Sequence, residues 1–492
     1  MDVSPTTRTG VDEDAALAAE QCPVDHGAGA PAAAVPAERT VIPATELPEV
    51  QMRPIKQIVS YWNDPYGFME GNRKRYGKRF SVCIRLPVRP MYVLSDRNDM
   101  KEMFLAPADV LHTGTGSATI EKYTGQTGLA WLDEDEHKVR RKLLMPSMHG
   151  KALQRIEAAM AEATKQDVAS WPRGKVTPLH PYTHRLTLNV IREVIYGPKV
   201  PSCWDELADV LTKMMDYNDR KGSALRIHEM PAKVVKLLRA IRPLGLDRFL
   251  KLRDRADVLV AESIAERQAS GDLGDDMLSA LLRITDHDGN PLDGTELRDE
   301  IMTIFLAGTE TTASGLAFAL ERLSREPEVQ EQLVAEIDKG ESDEYLTATV
   351  HEVLRLRPPI PNIIFREVMK PVEIGGVRYE PGMLLWASAH LLHHDPAVYP
   401  DPEELRPERF LETKPTMYSW IPFGGGRIRC LGAEIALAEM KCVLREVLSR
   451  CELFPDDAEP EAVRSRIVLT QPSRKARVGL RDRTPVASAA AS

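Results

Sequence analysis

Apolar residues recur at three- and four-residue intervals through most of the chain, and the two-residue alternation of strands is confined to short segments. Helices are predicted over residues 65–76, 133–145, 151–169, 205–217, 246–268 and 276–284, where an apolar face opposes a charged one. Residues 79–86 and 91–94 alternate instead around a proline-bounded turn at 87–90, the pattern of a two-stranded hairpin. Short strands are predicted at 363–365, 372–374 and 384–387. Together these give a mainly α fold with small β-sheets.

The longest helical signal opens at Thr295, a good N-cap followed by Glu296, Asp299 and Glu300, and closes at Arg325 before Pro327. About thirty residues at ~1.5 Å each make a rod of roughly 45 Å. Residues 301–319 are apolar nearly all round, as in a helix buried on every side. A second helix carries Glu352 and Arg355 on one face and stops at Pro358-Pro359. Residues 395–425 are proline-rich with little periodicity, a long meander that leads into a glycine turn and a last helix over 431–450. No internal repeat is present.

Composition narrows the class. The chain has 492 residues, 43% hydrophobic and 28% charged, enough to bury a large core. A net charge of −9 argues against a general nucleic-acid binder. Six scattered cysteines without C-x-x-C spacing suit a reducing compartment. Residues 1–50 are rich in Ala, Pro, Asp and Glu without a period and read as a disordered lead; order is expected from about Pro54. One domain then spans 51–482, and 483–492 form a flexible tail. No basic segment precedes an apolar run at the N-terminus, and no stretch approaches the ~20 apolar residues of a membrane span, so a soluble cytoplasmic protein is expected.

Chemistry concentrates in a few places. Pro422 to Gly432 place Cys430 after a glycine-rich turn and before an amphipathic helix, with Arg427 and Arg429 on the approach. The turn lets backbone approach a flat ligand, and amides at the helix start favour a negative sulfur that could ligate a metal. A phosphate loop does not fit, because no Lys-Ser/Thr follows and Arg429 stands where G-x-G-x-x-G needs its last glycine. Cys430 fits equally a small buried hydrophobe. Within the long helix, Ala307-Gly308-Thr309-Glu310-Thr311-Thr312 is uncomfortable for a buried rod. It reads as a packing kink, or as a groove for a small ligand with Glu310 and Thr311 relaying protons. Such an acid needs a route to water, so Glu310 is expected to be incompletely buried. Glu352 and Arg355 can pair, with Arg409 as a third member bracing the cysteine loop. His390, His393 and His394 read as a surface turn, and Gly114-Thr115-Gly116 as a flexible loop.

These residues, in this order, resemble the cytochrome P450 superfamily. Phe423, Gly426, Cys430 and Gly432 match its cysteine fingerprint, Ala307 to Thr312 its oxygen-activation motif, and Glu352, Arg355 and Arg409 its structural network. The resemblance covers about 54–480 and implies the fold of that family, with heme b (iron protoporphyrin IX) held between the long helix and the cysteine helix. Cys430 becomes the axial iron ligand. His137, Arg141 and Arg366 match propionate partners; Ile428 replaces the usual arginine there, with Arg427 and Arg429 as flanking substitutes. Phe423, Gly426 and Arg429 complete the implied cofactor set, and Glu310 and Thr311 the catalytic pair. The implied reaction inserts one atom of O2 into a lipophilic substrate, whether steroid, fatty acyl or terpenoid. Its pocket would be lined from 111–130, 214–238, 304–308 and 360–364. Electrons would come from a separate ferredoxin and its reductase, docking on Arg140, Arg141, Lys142, Lys441 and Arg445. A peroxide-driven peroxygenase and a non-catalytic heme-thiolate binding protein are the alternatives.

Overall fold

A computed structural model describes residues 41–84, 89–114, 116, 120–217, 246–285, 289–466 and 468–483. Most of the expected lead, the tip of the 87–90 turn, Thr115, residues 218–238 of the expected pocket lining and nearly all of the tail lie outside those residues.

The long helix runs from Gly294 to Leu323 through the centre of the helical core. Its cap is Asp293, two residues before the expected Thr295: the Asp293 carboxylate accepts from the amides of Thr295 and Glu296, and Glu296 reaches back to the Asp293 amide. This reciprocal capping box satisfies donors that Thr295 alone would leave open. By length and composition the helix could cross a membrane, but 67% of its most apolar window is buried inside the protein.

The helix His180–Tyr196 crosses the long helix at close range. A Cβ on Gly308 would sit 2.1 Å from Ile191 Cδ1, so glycine is required there for backbone approach. Thr183 and Thr187 hydroxyls donate to the carbonyls of Ala313 and Thr309 at 3.0 and 3.1 Å. The packing reading of Gly308 therefore holds on the side that faces the crossing helix.

The strands form small sheets at one side. A five-stranded sheet runs in the order Arg79–Val82, Met91–Leu94, Leu384–Ala387, Arg366–Val368, Leu111–His112. The first pair is the expected antiparallel hairpin, Val82 opposite Met91. The strand expected at 363–365 lies at 366–368, three residues later, because Arg366 pairs with Leu385. Ile42–Pro43 joins Val377–Tyr379 in parallel, so part of the expected disordered lead is ordered. The hairpin Val463–Arg466/Leu469–Pro472 and the sheet of Val176–Pro178, Cys451–Pro455 and Arg477–Asp482 carried no clear alternation signal.

His390, His393 and His394 are buried at the short helix Ala389–His393, which corrects the surface turn. His390 Nε2 lies 2.8 Å from Glu70 and its ring stacks on Tyr66. His393 bridges the Arg355 carbonyl and the Ile421 amide. Burial lowers all three well below the ordinary histidine range, so they act as neutral connectors.

Candidate active site

The cysteine turn is fixed by backbone sterics. Gly424 and Gly426 have φ of +69° and +68°, in the left-handed region that glycine tolerates. A Cβ on Gly426 would sit 2.5 Å from the Phe104 carbonyl oxygen, so the turn lies directly on the helix Arg97–Leu105. The Cys430 amide donates to the Phe423 carbonyl at 2.9 Å, closing the loop before the helix Ala433–Arg450.

Cys430 is enclosed by protein yet keeps accessible surface. Burial raises its thiol, against the lowering effects of the Gly432 amide, Arg141 and Arg429. The helix start alone therefore does not make the thiolate that the sequence led us to expect. A metal cation at the sulfur would, since a coordinating thiol is deprotonated outright.

Near the Cys430 loop stand two cations, Arg366 and Arg141, that pair with no carboxylate among the described residues. Arg366 is 2% exposed; its guanidinium donates to the carbonyls of Met103 and Gly425 at 3.0 and 3.2 Å, while Nε finds no partner among the described residues. Burial pulls its pKa down to about 9, the mark of a cation missing its counter-ion. Arg141 is lowered by burial and pairs with no carboxylate among the described residues. His137, lowered to about 4 by burial and then by Arg141, is a neutral hydrogen-bonding group. A thiol, two unpaired guanidiniums and a neutral imidazole fit a metal-bearing dianion such as heme with its two propionates.

Two flanking arginines part company. Arg427 donates to the carbonyls of Ala106 and Pro107 at 2.8 and 3.0 Å, so it pins the preceding loop. Arg429 reaches Glu434 at 3.4 Å and contributes its charge at Cys430. Phe423 packs edge-on to Trp420, centroids 5.9 Å apart.

The long helix opens one face toward accessible space. Thr303, Ala307 and Thr311 are partly or fully exposed although most of the surrounding turns are buried. One turn on, Gly315 approaches Met440 of the cysteine helix. The Thr311 hydroxyl donates to the Ala307 carbonyl at 2.6 Å. Glu310 does not share that face: it is 2% exposed, with Arg466 Nη1 at 2.8 Å and His184 Nδ1 at 3.0 Å. The expected incomplete burial is thus corrected. Burial pushes the carboxyl up, but Arg466 and His184 outweigh it and hold Glu310 well below the usual range.

The bracing network is formed in full. Arg355 makes two hydrogen bonds to Glu352 at 2.7 and 2.9 Å, and Arg409 Nε donates to the same carboxylate at 2.9 Å. These guanidiniums also bind the carbonyls of His393, Pro402, Glu404 and Pro400, tying the meander to the helix Glu344–Leu356.

Sequence reasoning missed the acids that hold residues 125–129 above the site. Asp299 accepts from the amides of Gln126 and Thr127, and Glu300 from Leu129, with Arg140 3.4 Å away. Their only sequence signal was an acidic first turn, which reads as dipole compensation. Arg140, bound to Glu296 and Glu300, leaves the expected surface patch. Burial raises Glu300 to about 7. Between the ordinary carboxylate pKa and about 7, the folded protein holds a proton that the unfolded chain releases, so stability falls as pH rises across that window. The loss is up to about 3 kcal/mol. Glu300→Gln should remove that slope; urea midpoints of both proteins at pH 5 and pH 7 measure it.

The family model for cytochrome P450 matches residues 44–478. Cytochrome P450 135B1 of Mycobacterium tuberculosis is 32% identical over 421 residues, covering 84% of this chain and 87% of that protein. Cytochrome P450 137 of the same species is 34% identical over 414 residues, 83% and 84% of the two chains. The retinoic acid-bound cyanobacterial CYP120A1 superposes with a TM-score of 0.76 at 23% identity, over 90% of this chain and all of that one. The cytochrome P450DA heme domain gives 0.75 at 23% identity, covering 91% and 99%.

Proposed function

The chain belongs to the cytochrome P450 family and is a monooxygenase, and we propose that it oxygenates a lipophilic small molecule with electrons from a separate ferredoxin. The observation that carries the reading is the accessible Cys430 thiol near Arg366 and Arg141, cations with no carboxylate partner among the described residues. Cys430 would hold the iron of heme b, and Arg366, Arg141 and His137 its propionates, with Phe423, Gly426 and Arg429 shaping the thiolate side. Heme held there would supply oxygen activation, which electron donation from the Cys430 thiolate would favour.

The protein residues bind, shield and move protons. Thr311 presents a hydroxyl on the open face of the long helix, placed to hold a proton there. Glu310 supplies negative charge one residue away, and reaches Thr311 only after release from Arg466 and His184. The substrate class rests on the apolar residues of the segments expected to line the pocket, among them Leu111, Ile304, Leu306 and Ile363. A steroid, fatty acyl chain or terpenoid suits such a lining. Lys142, Lys441 and Arg445 remain as the docking cations for an acidic ferredoxin, Arg445 sharing its charge with Asp343. A cytoplasmic setting is part of the proposal, supported by bacterial relatives and by cysteines that form no disulfide among the described residues.

Turnover of a lipid and steroid panel with NADH, ferredoxin and reductase, against turnover with peroxide, tests the reading. Ferredoxin-driven product together with a low-to-high-spin Soret shift supports it. Product from peroxide alone favours the peroxygenase, and shifts without product favour a binding protein. Arg366→Met should weaken heme retention roughly 10–100-fold, as loss of an outer partner does at metal sites. Without heme the same change removes an unpaired buried cation but also the donors of the Met103 and Gly425 carbonyls, so the apoprotein should lose no more than about 1–3 kcal/mol. Heme transfer to apomyoglobin and urea unfolding of the apoprotein measure the two effects.

A further inference from the structure

Residues 125–132 join the short helix Glu121–Thr124 to the helix Glu134–Leu144 and are seated on the first turns of the long helix. At one end, Asp299 Oδ2 accepts from the amides of Gln126 and Thr127 at 2.8 and 3.0 Å and from the Thr127 hydroxyl at 2.9 Å. Gly125 precedes them with φ of +80°, and a Cβ there would sit 2.1 Å from the Asp299 carboxylate. At the other end, Glu300 Oε2 accepts from the Leu129 amide at 2.8 Å. The amides of Trp131 and Leu132 turn back onto the Gly128 and Leu129 carbonyls within the segment itself. Between the two anchors, a Cβ on Gly128 would sit 2.8 Å from Thr303 Oγ1, and Thr303 heads the accessible face that continues through Ala307 to Thr311. Leu129, Trp131 and Leu132, next in the chain, are only half-buried.

We propose that residues 129–132 are a movable wall of the substrate pocket, hinged on Asp299 and kept shut by Glu300 for as long as that acid keeps its proton. The sign follows from burial. Glu300 is fully enclosed beneath the Leu129 amide, and this burial outweighs Arg140 and the amide and raises its carboxyl to about 7. Lifting Leu129 away admits water to the carboxyl and returns it toward the ordinary carboxylate range. The shut state therefore holds a proton that the open state releases, and rising pH favours the open state. The charged groups around the acid do not reverse this. Arg140, 3.4 Å away on the helix Glu134–Leu144, is shared with Glu296, and Asp299 adds like charge. Arg298 is engaged by Asp257 and Asp299, and Lys122 stands with Glu121 and Arg253. Asp299 and Glu300 act through the wall and are positioning residues. The inference rests on the monooxygenase reading and adds to it an entrance that widens with pH.

The test uses the full-length heme protein, reduced without air, and two ligands of ferrous heme that stay neutral from pH 6 to 8, ethyl isocyanide and cyclohexyl isocyanide. In stopped flow, cyclohexyl isocyanide should bind roughly three- to tenfold faster at pH 8 than at pH 6, the upper value holding when opening hydrates the acid fully. Ethyl isocyanide, small enough to pass the shut wall, should bind at nearly the same rate at both. Glu300→Gln should take up the larger ligand at the slow rate throughout, and Asp299→Ala at a faster rate at every pH. Hydrogen exchange of a peptide spanning 125–132, corrected for its intrinsic pH dependence, should show matching loss of protection from pH 6 to pH 8, absent in Glu300→Gln. Entry and exchange that ignore pH in the unsubstituted protein overturn the proposal, and that result needs no variant to fold. A slope that survives Glu300→Gln, or Asp299→Ala with unchanged entry, overturns it as well. A reduced protein that forms no isocyanide complex would sink the monooxygenase reading instead, and the exchange measurement still decides whether the wall moves.

Discussion

Cys430→Ser yields a folded protein whose reduced, carbon-monoxide-treated form lacks the red-shifted thiolate absorption and whose substrate oxidation falls below detection. Serine fits the space, because the loop is shaped by its glycines and by Phe104 rather than by the sulfur. What disappears is the ligand. An alkoxide is far harder to form than a thiolate at a site where burial already raises the cysteine thiol. Secondary structure should therefore be unchanged while the axial bond is lost. Gly426→Ala makes the complementary case, since it keeps the sulfur and disrupts its setting. A side chain there requires a left-handed φ and would lie 2.5 Å from the Phe104 carbonyl oxygen. Its carbon-monoxide complex should shift toward the shorter-wavelength form in proportion to the loop's displacement. Retention of the thiolate band in Cys430→Ser, with oxidation intact, would refute the assignment of the axial ligand.

The parts legible in the sequence were those written locally. Helical periodicity located the long helix and the helix of Glu352, and the glycine turn marked Cys430, because spacing alone carries that information. Partnerships across the chain were not legible. Arg466 meets Glu310 across 156 residues, and nothing in a short strand says which buried acid it will face. The acid that looked like a water-connected relay is instead enclosed by two basic side chains. The three histidines before Asp395 look polar and exposed in sequence, yet they sit neutral in the core, where His393 connects Arg355 to the meander. Capping also misled by two residues, since Thr295 and Asp293 are both good N-caps and only the reciprocal bond from Glu296 distinguishes them.

Arg355→Met should cost about 3–5 kcal/mol, the range for breaking a buried ion pair and leaving one charge behind. Both Arg355 and Glu352 are fully buried, and their pair joins the helix Glu344–Leu356 to a meander with little regular structure of its own. An isolated buried pair can often be replaced by two apolar residues at no loss. That escape is closed here. Arg355 also satisfies the carbonyls of His393, Pro402 and Glu404, and the Arg406 amide donates to Glu352 at 3.0 Å. Removing both charges leaves those backbone groups without partners, each costing about 1–3 kcal/mol. The double variant Glu352→Met/Arg355→Met should therefore remain strongly destabilised in urea. The damage should also reach the active site, because the Ile421 amide at the end of the meander bonds His393, whose other ring nitrogen contacts the Arg355 carbonyl. Loss of the network should thus lower heme content and the thiolate-type carbon-monoxide band together. A double variant as stable as the original, with full heme, would show that the meander holds the cysteine loop without its charged anchor.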